Sequence, residues 1–272
     1  MSGESLILVD GEPRNAIAVL DRGLMYGDGV FRTIRLEAGR AVWWPAHLAK
    51  LAADCARLGL VCPGPEVWAA DLQRLAAQHA DGVLKLMVTR GIGQRGYQPP
   101  AVAQPTRIVL LAPLPELPAS LWQEGVTVRV CDLRLGRQPR LAGVKHLNRL
   151  ENVLARAEWD DPAIREGLLL AEDGRVIGGV SSNVFIQGHG ELLTPRLADC
   201  GVAGVARGRV IEAAANRGLV VREQDITLEQ LLAADAVWLT NSLIRLWRVA
   251  RLGDRVWPRT EMHSVMREFL YG

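Results

Sequence analysis

The sequence predicts a mixed α/β (α+β) protein with two halves. Apolar runs typical of strands are interspersed irregularly with segments of helical periodicity, and no internal repeat is present. A chain of 272 residues is long enough to form two hydrophobic cores. The proline-rich stretch at residues 113–118 is typical of a linker. We therefore expect an N-terminal α/β domain over residues 1–113, a linker over 114–120 and a C-terminal domain over 121–272 that carries Lys145.

Turn residues and apolar periodicity predict the elements of the first half. Asp10-Gly11 and Glu37-Ala38-Gly39-Arg40 are typical of tight turns between antiparallel strands. Helical spacing of apolar residues predicts two helices after these strands, at residues 48–58 and 66–80. Apolar runs predict buried strands at residues 84–89 and 107–112. The chain therefore begins with β structure, which two helices follow.

The same two patterns predict the elements of the second half. Asp173-Gly174 is typical of a hairpin turn. Strands are expected at residues 126–131, 167–171, 183–187, 219–223 and 236–240. Helices are expected at residues 204–216, 228–233 and 261–271, and after Lys145, where Leu147, Leu150, Leu154 and Ala157 recur at helical spacing.

Composition and charge argue against several classes of partner. Because the formal net charge is only +2 and no basic run is present, nucleic-acid binding is not expected. No run of 18 apolar residues predicts a membrane helix, and the acidic residues near the start differ from a secretory pattern. We therefore expect a cytoplasmic protein. The four cysteines form no CxxC pair and lack metal-ligand spacing with the histidines, which predicts reduced thiols and no metal site.

Lysine is rare in this chain. Of the 32 basic residues only Lys50, Lys85 and Lys145 are lysines, and the other 29 are arginines. Arginine stays protonated, whereas a desolvated lysine can lose its proton and attack a carbonyl to form a Schiff base. Lys145 is best placed for this role, and the alternative is a first-turn lysine on a solvated helix face. Lys85, between two apolar strand residues, is expected to point outward by alternation.

Two loop segments are candidates for ligand binding. Gly201-Val202-Ala203-Gly204-Val205-Ala206-Arg207 leads into a predicted helix, and such a helix start exposes backbone N–H groups that can bind phosphate. Thr240-Asn241-Ser242 ends a predicted buried strand, where polar side chains commonly face a crevice. Taken alone, the first segment is more often an ordinary junction between a loop and a helix, and the second a plain turn.

Together these segments resemble the fold-type IV family of pyridoxal-phosphate enzymes, and the resemblance covers essentially the whole chain. The family includes D-amino acid aminotransferases, branched-chain aminotransferases and aminodeoxychorismate lyase. The resemblance implies a two-domain architecture like that of D-amino acid aminotransferase, and a homodimer. It is carried by Asp21-Arg22-Gly23-Leu24-Met25-Tyr26-Gly27-Asp28-Gly29-Val30-Phe31, Gly96-Tyr97, Lys145-His146-Leu147-Asn148-Arg149-Leu150-Glu151, Ser182-Asn183-Val184-Phe185 and Gly201-Val202-Ala203-Gly204.

The resemblance implies roles for particular residues. Lys145 would hold pyridoxal 5'-phosphate as the Schiff-base lysine and then act as general base and general acid. The backbone N–H groups of Val205 and Ala206 would bind the phosphate of the cofactor, helped by Asn241 and Ser242. His146 beside the lysine is left unassigned, because adjacent helical residues face different directions.

Within the family the chain looks most like aminodeoxychorismate lyase, which converts 4-amino-4-deoxychorismate to 4-aminobenzoate and pyruvate for folate synthesis. The features that favour the lyase over the transaminases are Leu-Ala-Gly ahead of Val144-Lys145-His146-Leu147-Asn148-Arg149, the turn Arg95-Gly96-Tyr97, and Leu135-Gly136-Arg137. The pocket for a small-molecule substrate is expected near Tyr26, Arg95 and Tyr97. Positive charge there would suit the carboxylates of the substrate.

Three positions depart from the family pattern. Lys50 stands where the family usually has a phosphate-binding arginine, so the positive charge is kept but the planar fork is lost. Gly178 stands where a glutamate usually contacts the pyridine nitrogen, and Arg32 where an acidic residue is common. Without the glutamate the cofactor ring is a weaker electron sink, which should impair transamination most. The lyase reaction is more tolerant, because formation of an aromatic ring supplies driving force.

These departures leave two other functions open. One is a fold-type IV aminotransferase that acts on D- or branched-chain amino acids. The other is a family member that has kept the scaffold without catalysis. Gly178 and Lys50 favour this last possibility, and the intact segment around Lys145 opposes it.

Overall fold

The computed structural model describes residues 5–188 and 190–271, which form two compact units. The first, unit 1, comprises the chain up to Glu116 together with Val144–Asn148. The second, unit 2, comprises Leu117–Gly143 and the chain from Arg149 onward. The boundary after Glu116 falls within the proline-rich stretch, whereas the short segment that contains Lys145 groups with unit 1.

Unit 1 is built on an antiparallel sheet. Its strands are β1 (Leu6–Val9), β2 (Glu12–Pro13), β3 (Gly29–Glu37), β4 (Arg40–Ala41), β5 (Gly82–Thr89) and β6 (Arg107–Ala112). Its helices are α1 (Arg22–Tyr26), α2 (Trp44–Leu58) and α3 (Pro65–Ala76). Among the described residues the strand order is β2-β1-β6-β5-β3-β4, and each neighbouring pair is antiparallel.

The core of unit 1 lies on one face of this sheet. Because side chains alternate along a strand, Val30 and Ile34 of β3 point to the same face, where both are fully buried. They belong to one hydrophobic cluster with Leu51 of α2 and Trp68 of α3. Arg32 lies on this buried face between Val30 and Ile34 and is only 1% exposed. A guanidinium in such a position requires a partner of opposite charge.

The segment Val144–Asn148 forms an extended stretch beside β3. The backbone N of Phe31 donates to the carbonyl of Lys145, and the backbone N of Leu147 donates to that of Gly29, both at 2.9 Å. These hydrogen bonds explain why the segment belongs to unit 1, although the chain on either side of it belongs to unit 2.

Unit 2 is built on a larger mixed sheet. Its strands are β7 (Val126–Leu135), β8 (Ile164–Ala171), β9 (Val176–Gly179), β10 (Asn183–Gly188), β11 (Glu191–Pro195), β12 (Val221–Gln224), β13 (Ala236–Asn241), β14 (Arg245–Leu252) and β15 (Arg255–Val256). Its helices are α4 (Ser120–Gln123), α5 (Leu150–Arg156), α6 (Val205–Ala215), α7 (Leu228–Ala233) and α8 (Met262–Tyr271). Within the described part of unit 2 the strand order is β12-β11-β10-β13-β14-β7-β8-β9, and β15 pairs with β14.

Strand β8 is buried on both faces. Leu168 and Leu170 belong to one hydrophobic cluster of unit 2, and Leu169 and Ala171 belong to another. The pairs β11–β12, β14–β7 and β7–β8 are parallel, which is typical of strands covered on both sides. This explains why residues 167–171 form a continuous apolar run in the sequence.

The predicted mixed α/β class is confirmed, and most predicted elements are present with shifted ends. Helix α3 ends at Ala76 rather than Ala80, and β7 continues to Leu135 rather than ending at Cys131. Strands β11 and β14 are among the elements that the sequence did not predict, together with α1, α4 and β9. In β14, three arginines interrupt the apolar pattern. No helix among the described residues is long and apolar enough to span a membrane.

Helix α5 differs from the helix predicted after Lys145. It begins at Leu150, so Lys145 lies in the extended segment before the helix and not in its first turn. Leu150, Val153 and Leu154 are 68%, 61% and 53% exposed. The periodicity thus predicts the helix correctly, but its apolar face is not buried within the described residues.

Candidate active site

The amine of Lys145 lies on the partly exposed face of the unit 1 sheet, beside Phe31. The Nζ atom of Lys145 is 4.5 Å from the centroid of the Phe31 ring, which is a cation–π distance. Both side chains are half-buried. Lys145 is therefore neither on a helix nor fully solvated, and the interpretation as a first-turn lysine on a solvated face is wrong.

The backbone at Lys145 is held by the carboxylate of Asp54 in α2. Asp54 is buried, and its Oδ2 atom accepts from the backbone N of Lys145 at 3.1 Å. The same carboxylate pairs with the guanidinium of Arg32 and with the ammonium of Lys50. One buried carboxylate thus links strand β3, helix α2 and the segment that carries the candidate lysine.

Burial and positive neighbours change the pKa values in this cluster. Burial lowers the pKa of Arg32 and that of Lys50, and the charge of Asp54 opposes the shift in both. Burial, followed by the charges of Arg32 and Lys145, lowers the pKa of His47 to about 3. His47 is therefore neutral near pH 7. Lys50, the predicted phosphate ligand, belongs to this cluster, where Asp54 partly neutralises its charge.

The backbone N–H groups for which phosphate binding is predicted lie at the N-terminus of α6. The first N–H groups of a helix have no intrahelical partner, and Gly204 at the N-cap offers no side-chain cap. Val205 and Ala206, both buried, begin the helix. Asn183 fixes the turn before it, because its Oδ1 accepts from Gly204 N at 3.1 Å and its Nδ2 donates to Val202 O at 2.7 Å. The helix start is thus ordered without a competing cap, as an anion site requires.

Asn241 and Ser242, the other predicted phosphate residues, lie at the end of β13. The Oδ1 atom of Asn241 accepts from the backbone N of Leu243 at 2.8 Å and of Ile244 at 2.9 Å. Its Nδ2 atom donates to Ser181 O at 3.2 Å. The amide of Asn241 therefore orders the turn that carries Ser242.

Tyr26 and Tyr97, two predicted substrate residues, lie together. Their ring centroids are 5.4 Å apart, and the backbone N of Gly96 donates to the Tyr26 hydroxyl at 3.1 Å. Arg22, which the sequence did not single out, holds the same loop. Its buried guanidinium donates to the carbonyls of Gly96 at 3.0 Å and Tyr97 at 2.9 Å. Tyr97 and the third predicted residue, Arg95, are exposed to solvent on this loop.

The carboxylate of Glu166, on the strand that pairs with β9, lies on the opposite face from Gly178. Successive residues of β9 face opposite sides of the sheet, so Gly178 and Gly179 lie on different faces. Glu166 lies on the Gly179 side, where a Cβ atom at residue 179 would be 2.9 Å from its Cγ. A Cβ atom at Gly178 would be 2.9 Å from the carbonyl oxygen of Ser182, which is the neighbour it would meet among the described residues.

Glu166 holds the turn between β9 and β10. Its Oε2 atom accepts from the Ser181 hydroxyl at 2.6 Å, from the Ser182 hydroxyl at 3.0 Å and from the backbone N of Ser181 at 3.2 Å. Burial raises the pKa of this carboxyl, and the hydrogen bonds act in the opposite direction. Glu166 therefore orders the turn between β9 and β10.

The residues suit two of the three parts of pyridoxal phosphate. A half-buried amine at Lys145 suits the aldehyde, and the uncapped start of α6 suits the phosphate. Gly178 offers no acid to the pyridine nitrogen. Each taken by itself, Lys145 in unit 1 suits the reacting aldehyde, and the start of α6 in unit 2 suits the phosphate.

Comparison with known proteins identifies the family. Residues 29–252 match the family model described as amino-transferase class IV. The chain is 35% identical over 236 residues to the aminodeoxychorismate lyase of Vibrio harveyi, which covers 87% of each protein. It is 30% identical over 231 residues to the D-alanine aminotransferase of Bacillus licheniformis, which covers 84% of this chain and 80% of that protein.

A solved structure agrees with these relatives. The crystal structure of 4-amino-4-deoxychorismate lyase from Pseudomonas aeruginosa matches this chain with a TM-score of 0.93 and 44% identity, and covers 97% of each chain. The chain belongs to the class IV aminotransferase family. The predicted resemblance to fold-type IV enzymes is confirmed.

The residues that hold Lys145 are charged residues at positions where the sequence pattern is otherwise apolar. Asp54 lies between apolar positions of α2, next to Cys55 and three residues after Leu51, on the face that packs in the core. Arg32 occupies a core-facing position of an alternating strand. Charged residues on apolar faces are rarely buried unless they are paired, so each predicts a partner, but the sequence does not say which one.

Asp54→Ala is expected to lower the free energy of unfolding by about 3–5 kcal/mol, because Arg32 is left buried without its opposite charge. The variant also removes the acceptor of the Lys145 backbone N–H. Peptides that span residues 144–148 should therefore exchange their amide hydrogens faster than in the wild type, measured by mass spectrometry under native conditions.

Asp71→Ala is the matched control for this experiment. Asp71 forms a largely buried ion pair with Arg107 in the same unit, at 2.7 Å between Nε and Oδ2. Its loss should lower stability without selective faster exchange at residues 144–148. Unchanged exchange of that segment in Asp54→Ala, relative to the control, would contradict the role given to Asp54.

Proposed function

We propose that this protein is a pyridoxal 5'-phosphate-dependent lyase that converts 4-amino-4-deoxychorismate to 4-aminobenzoate and pyruvate, a step of folate biosynthesis. One observation carries the proposal. The half-buried, Asp54-anchored Lys145 lies in a chain that is 44% identical, over 97% of its length, to a solved 4-amino-4-deoxychorismate lyase. The similarity to the lyase of Vibrio harveyi supports the same activity.

Lys145 carries out both the covalent role and the proton transfers. As the Schiff-base lysine it would hold pyridoxal phosphate through the aldehyde of the cofactor. When bound, pyridoxal phosphate would supply an electron sink next to the amine-bearing carbon of the substrate. The Nζ atom of Lys145 would be the base that removes the proton from this carbon. The electron pair of that C–H bond completes the aromatic ring and expels the enolpyruvyl oxygen, and Lys145 returns a proton to give pyruvate.

Other residues bind and orient the cofactor. We assign its phosphate to the backbone N–H groups of Val205 and Ala206, which the uncapped start of α6 supports. Asn241 orders the turn that presents Ser242 to the same group. Lys50 supplies positive charge as a point cation rather than as a planar fork.

Substrate binding is assigned to Tyr26, Arg95 and Tyr97. The exposed guanidinium of Arg95 forms no salt bridge within residues 5–188 and 190–271, so it is available to a carboxylate. The buried guanidinium of Arg22 fixes the loop that carries Arg95 and Tyr97. A loop held in this way loses less conformational entropy when it binds a ligand.

Gly178 favours elimination over transamination. Transamination requires the cofactor ring to accept negative charge fully, and the residues around Gly178 supply no acid to assist it. Elimination is assisted instead by the aromaticity of 4-aminobenzoate. An aminotransferase of D- or branched-chain amino acids is the second candidate, which the similarity to D-alanine aminotransferase supports. A non-catalytic family member is the third, and Gly178 and Lys50 are the features that support it.

We further propose that the protein is a cytoplasmic homodimer. Leu150, Val153 and Leu154 form an exposed apolar face on α5. Exposed apolar faces of this kind are typical of surfaces that a second subunit covers. The four cysteines are free thiols, which agrees with a reducing compartment.

Borohydride reduction in the presence of pyridoxal phosphate tests the assignment of Lys145. We expect the visible absorbance of the Schiff base to disappear and one label to be found on Lys145 by mass spectrometry. The untreated protein should release pyruvate from aminodeoxychorismate without a keto acid. Lys145→Ala should do neither. Lys145→Arg keeps the positive charge and serves as the control, because arginine cannot form the Schiff base.

The other functions give different results in this experiment. Amino transfer that requires a keto acid, without release of pyruvate from aminodeoxychorismate, would support the aminotransferase. Protein that stays colourless and unlabelled with added cofactor would contradict any pyridoxal-phosphate activity and support the non-catalytic family member.

Gly178→Glu is expected to bind pyridoxal phosphate more tightly, or to turn over faster, than Gly178→Ala. Both variants place a Cβ atom 2.9 Å from the Ser182 carbonyl, so both must shift the turn, at a cost of about 1–3 kcal/mol. Only glutamate supplies an acid to the ring. Cofactor Kd from absorbance titration and kcat for pyruvate release give the comparison. Equal values in the two variants would show that an acid at this position no longer matters.

A further inference from the structure

Lys85 is the lysine for which the proposed function gives no role. It lies in the middle of β5 and is half-buried. Its Nζ atom is 4.9 Å from the centroid of the Phe31 ring, the same ring that Nζ of Lys145 approaches at 4.5 Å. The third lysine, Lys50, pairs with Asp54, which also holds the Lys145 backbone. In a chain with 29 arginines, all three lysines thus lie around Phe31 and Asp54.

The pairing of β3 with β5 on one side and with the segment Val144–Asn148 on the other explains why these side chains meet. Thr33 of β3 pairs with Lys85 of β5. Phe31, two residues earlier on β3, therefore lies on the same face as Lys85 and is its diagonal neighbour. On the other side of β3, the backbone N of Phe31 donates to the carbonyl of Lys145. The side chains form a row in the order Lys145, Phe31, Lys85.

This row lies on the face of the sheet opposite the unit 1 core. Val30 and Ile34, which alternate with Phe31 along β3, are fully buried, whereas Phe31 itself is half-buried. The prediction that Lys85 points away from the core is correct, because Lys85 alternates with the buried residues Leu84 and Leu86 along β5. Its side chain does not extend freely into water, because it packs against the aromatic ring.

Among the described residues of unit 1, no carboxylate forms a salt bridge with Lys85. Lys50 pairs with Asp54, but Lys85 forms no salt bridge within the described ranges 5–188 and 190–271. An ammonium in a half-buried position attracts an anion more strongly than one in bulk water, because the effective dielectric constant is lower. The row therefore presents one amine for covalent chemistry and, beyond Phe31, a second cation for binding.

We propose that Lys85 binds a carboxylate of the substrate whose amine reacts at Lys145. Because this role rests on the lyase function proposed above, the substrate is 4-amino-4-deoxychorismate, which carries one amine and two carboxylates. Lys145 would react at the end of the row where the substrate amine binds. Lys85, on the other side of the Phe31 ring, would bind one of the carboxylates. Lys85 thus selects acidic substrates, and it takes no part in the proton transfers.

Binding of chorismate to the holoenzyme tests this role separately from catalysis. Chorismate carries the same two carboxylates but a hydroxyl in place of the amine, so it cannot form a Schiff base. Lys85→Met should weaken chorismate binding and raise KM for aminodeoxychorismate, each by about 10- to 100-fold, the loss expected for one charge-assisted hydrogen bond. Its kcat should stay within about threefold of the wild type, because the contact is uniform between ground and transition states. Lys85→Arg should restore most of the binding.

Arg35→Met is the matched control. Arg35 lies on the same face of β3, but its guanidinium already pairs with Glu37 at 2.6 Å between Nε and Oε1. Its removal should leave chorismate binding unchanged. Equal chorismate binding by the wild type and Lys85→Met would overturn the proposal, even if the variant unfolds at a lower temperature. A wild type that releases no pyruvate would instead contradict the lyase function, and chorismate binding would still decide whether Lys85 binds carboxylates.

Discussion

The carboxylate of Asp54 is the interaction on which the arrangement around Lys145 depends. It is buried in the unit 1 core, where it accepts from the Lys145 backbone and pairs with Arg32 and Lys50. Removing Asp54 would leave Arg32 as a buried charge without a partner, a state that costs far more free energy than a surface ion pair contributes. The position of the candidate lysine is thus coupled to the stability of the core that carries it.

Arginine and lysine have different tasks in this chain. Arg22 donates to backbone carbonyls of the loop that carries Tyr97, and Arg90 pairs with Asp28 and also donates to the carbonyls of Leu58 and Gly59. These are structural uses of a planar fork with several donors. The three lysines, in contrast, lie around Phe31 and Asp54, where a compact amine can react or bind an anion. The rarity of lysine in the composition therefore directs attention to these three positions as candidates for the proposed chemistry.

Much of the fold could be predicted from local patterns, because those patterns have local causes. The periodicity of α2 and the hairpin at Asp173-Gly174 depend on residues close in sequence. Strand β14 could not be predicted in this way, because its three arginines break the apolar pattern and its pairing partners are distant in sequence. The helix after Lys145 was predicted, but the exposure of its apolar face was not.

The candidate site could likewise be predicted only where it depends on local sequence, and not where it depends on residues that are distant in the chain. Lys145 could be singled out from composition and from family resemblance, but its partner Asp54 lies 91 residues earlier in the chain. The row of Lys145, Phe31 and Lys85 depends on the pairing of β3 with β5 and on its hydrogen bonds to the segment Val144–Asn148, which no spacing in the sequence reveals. Gly178 was recognised as a departure from the family, and the structure adds that the nearby carboxylate of Glu166 is used by the turn at Ser181 and Ser182.

A crystal structure of the protein reduced with borohydride in the presence of pyridoxal phosphate would show which lysine binds the cofactor. Continuous electron density is expected from Nζ of Lys145 to the cofactor, with Phe31 beside the joined atoms. Density that joins the cofactor to Lys50 or Lys85, or a Lys145 side chain directed away from a bound cofactor, would contradict the role proposed for Lys145.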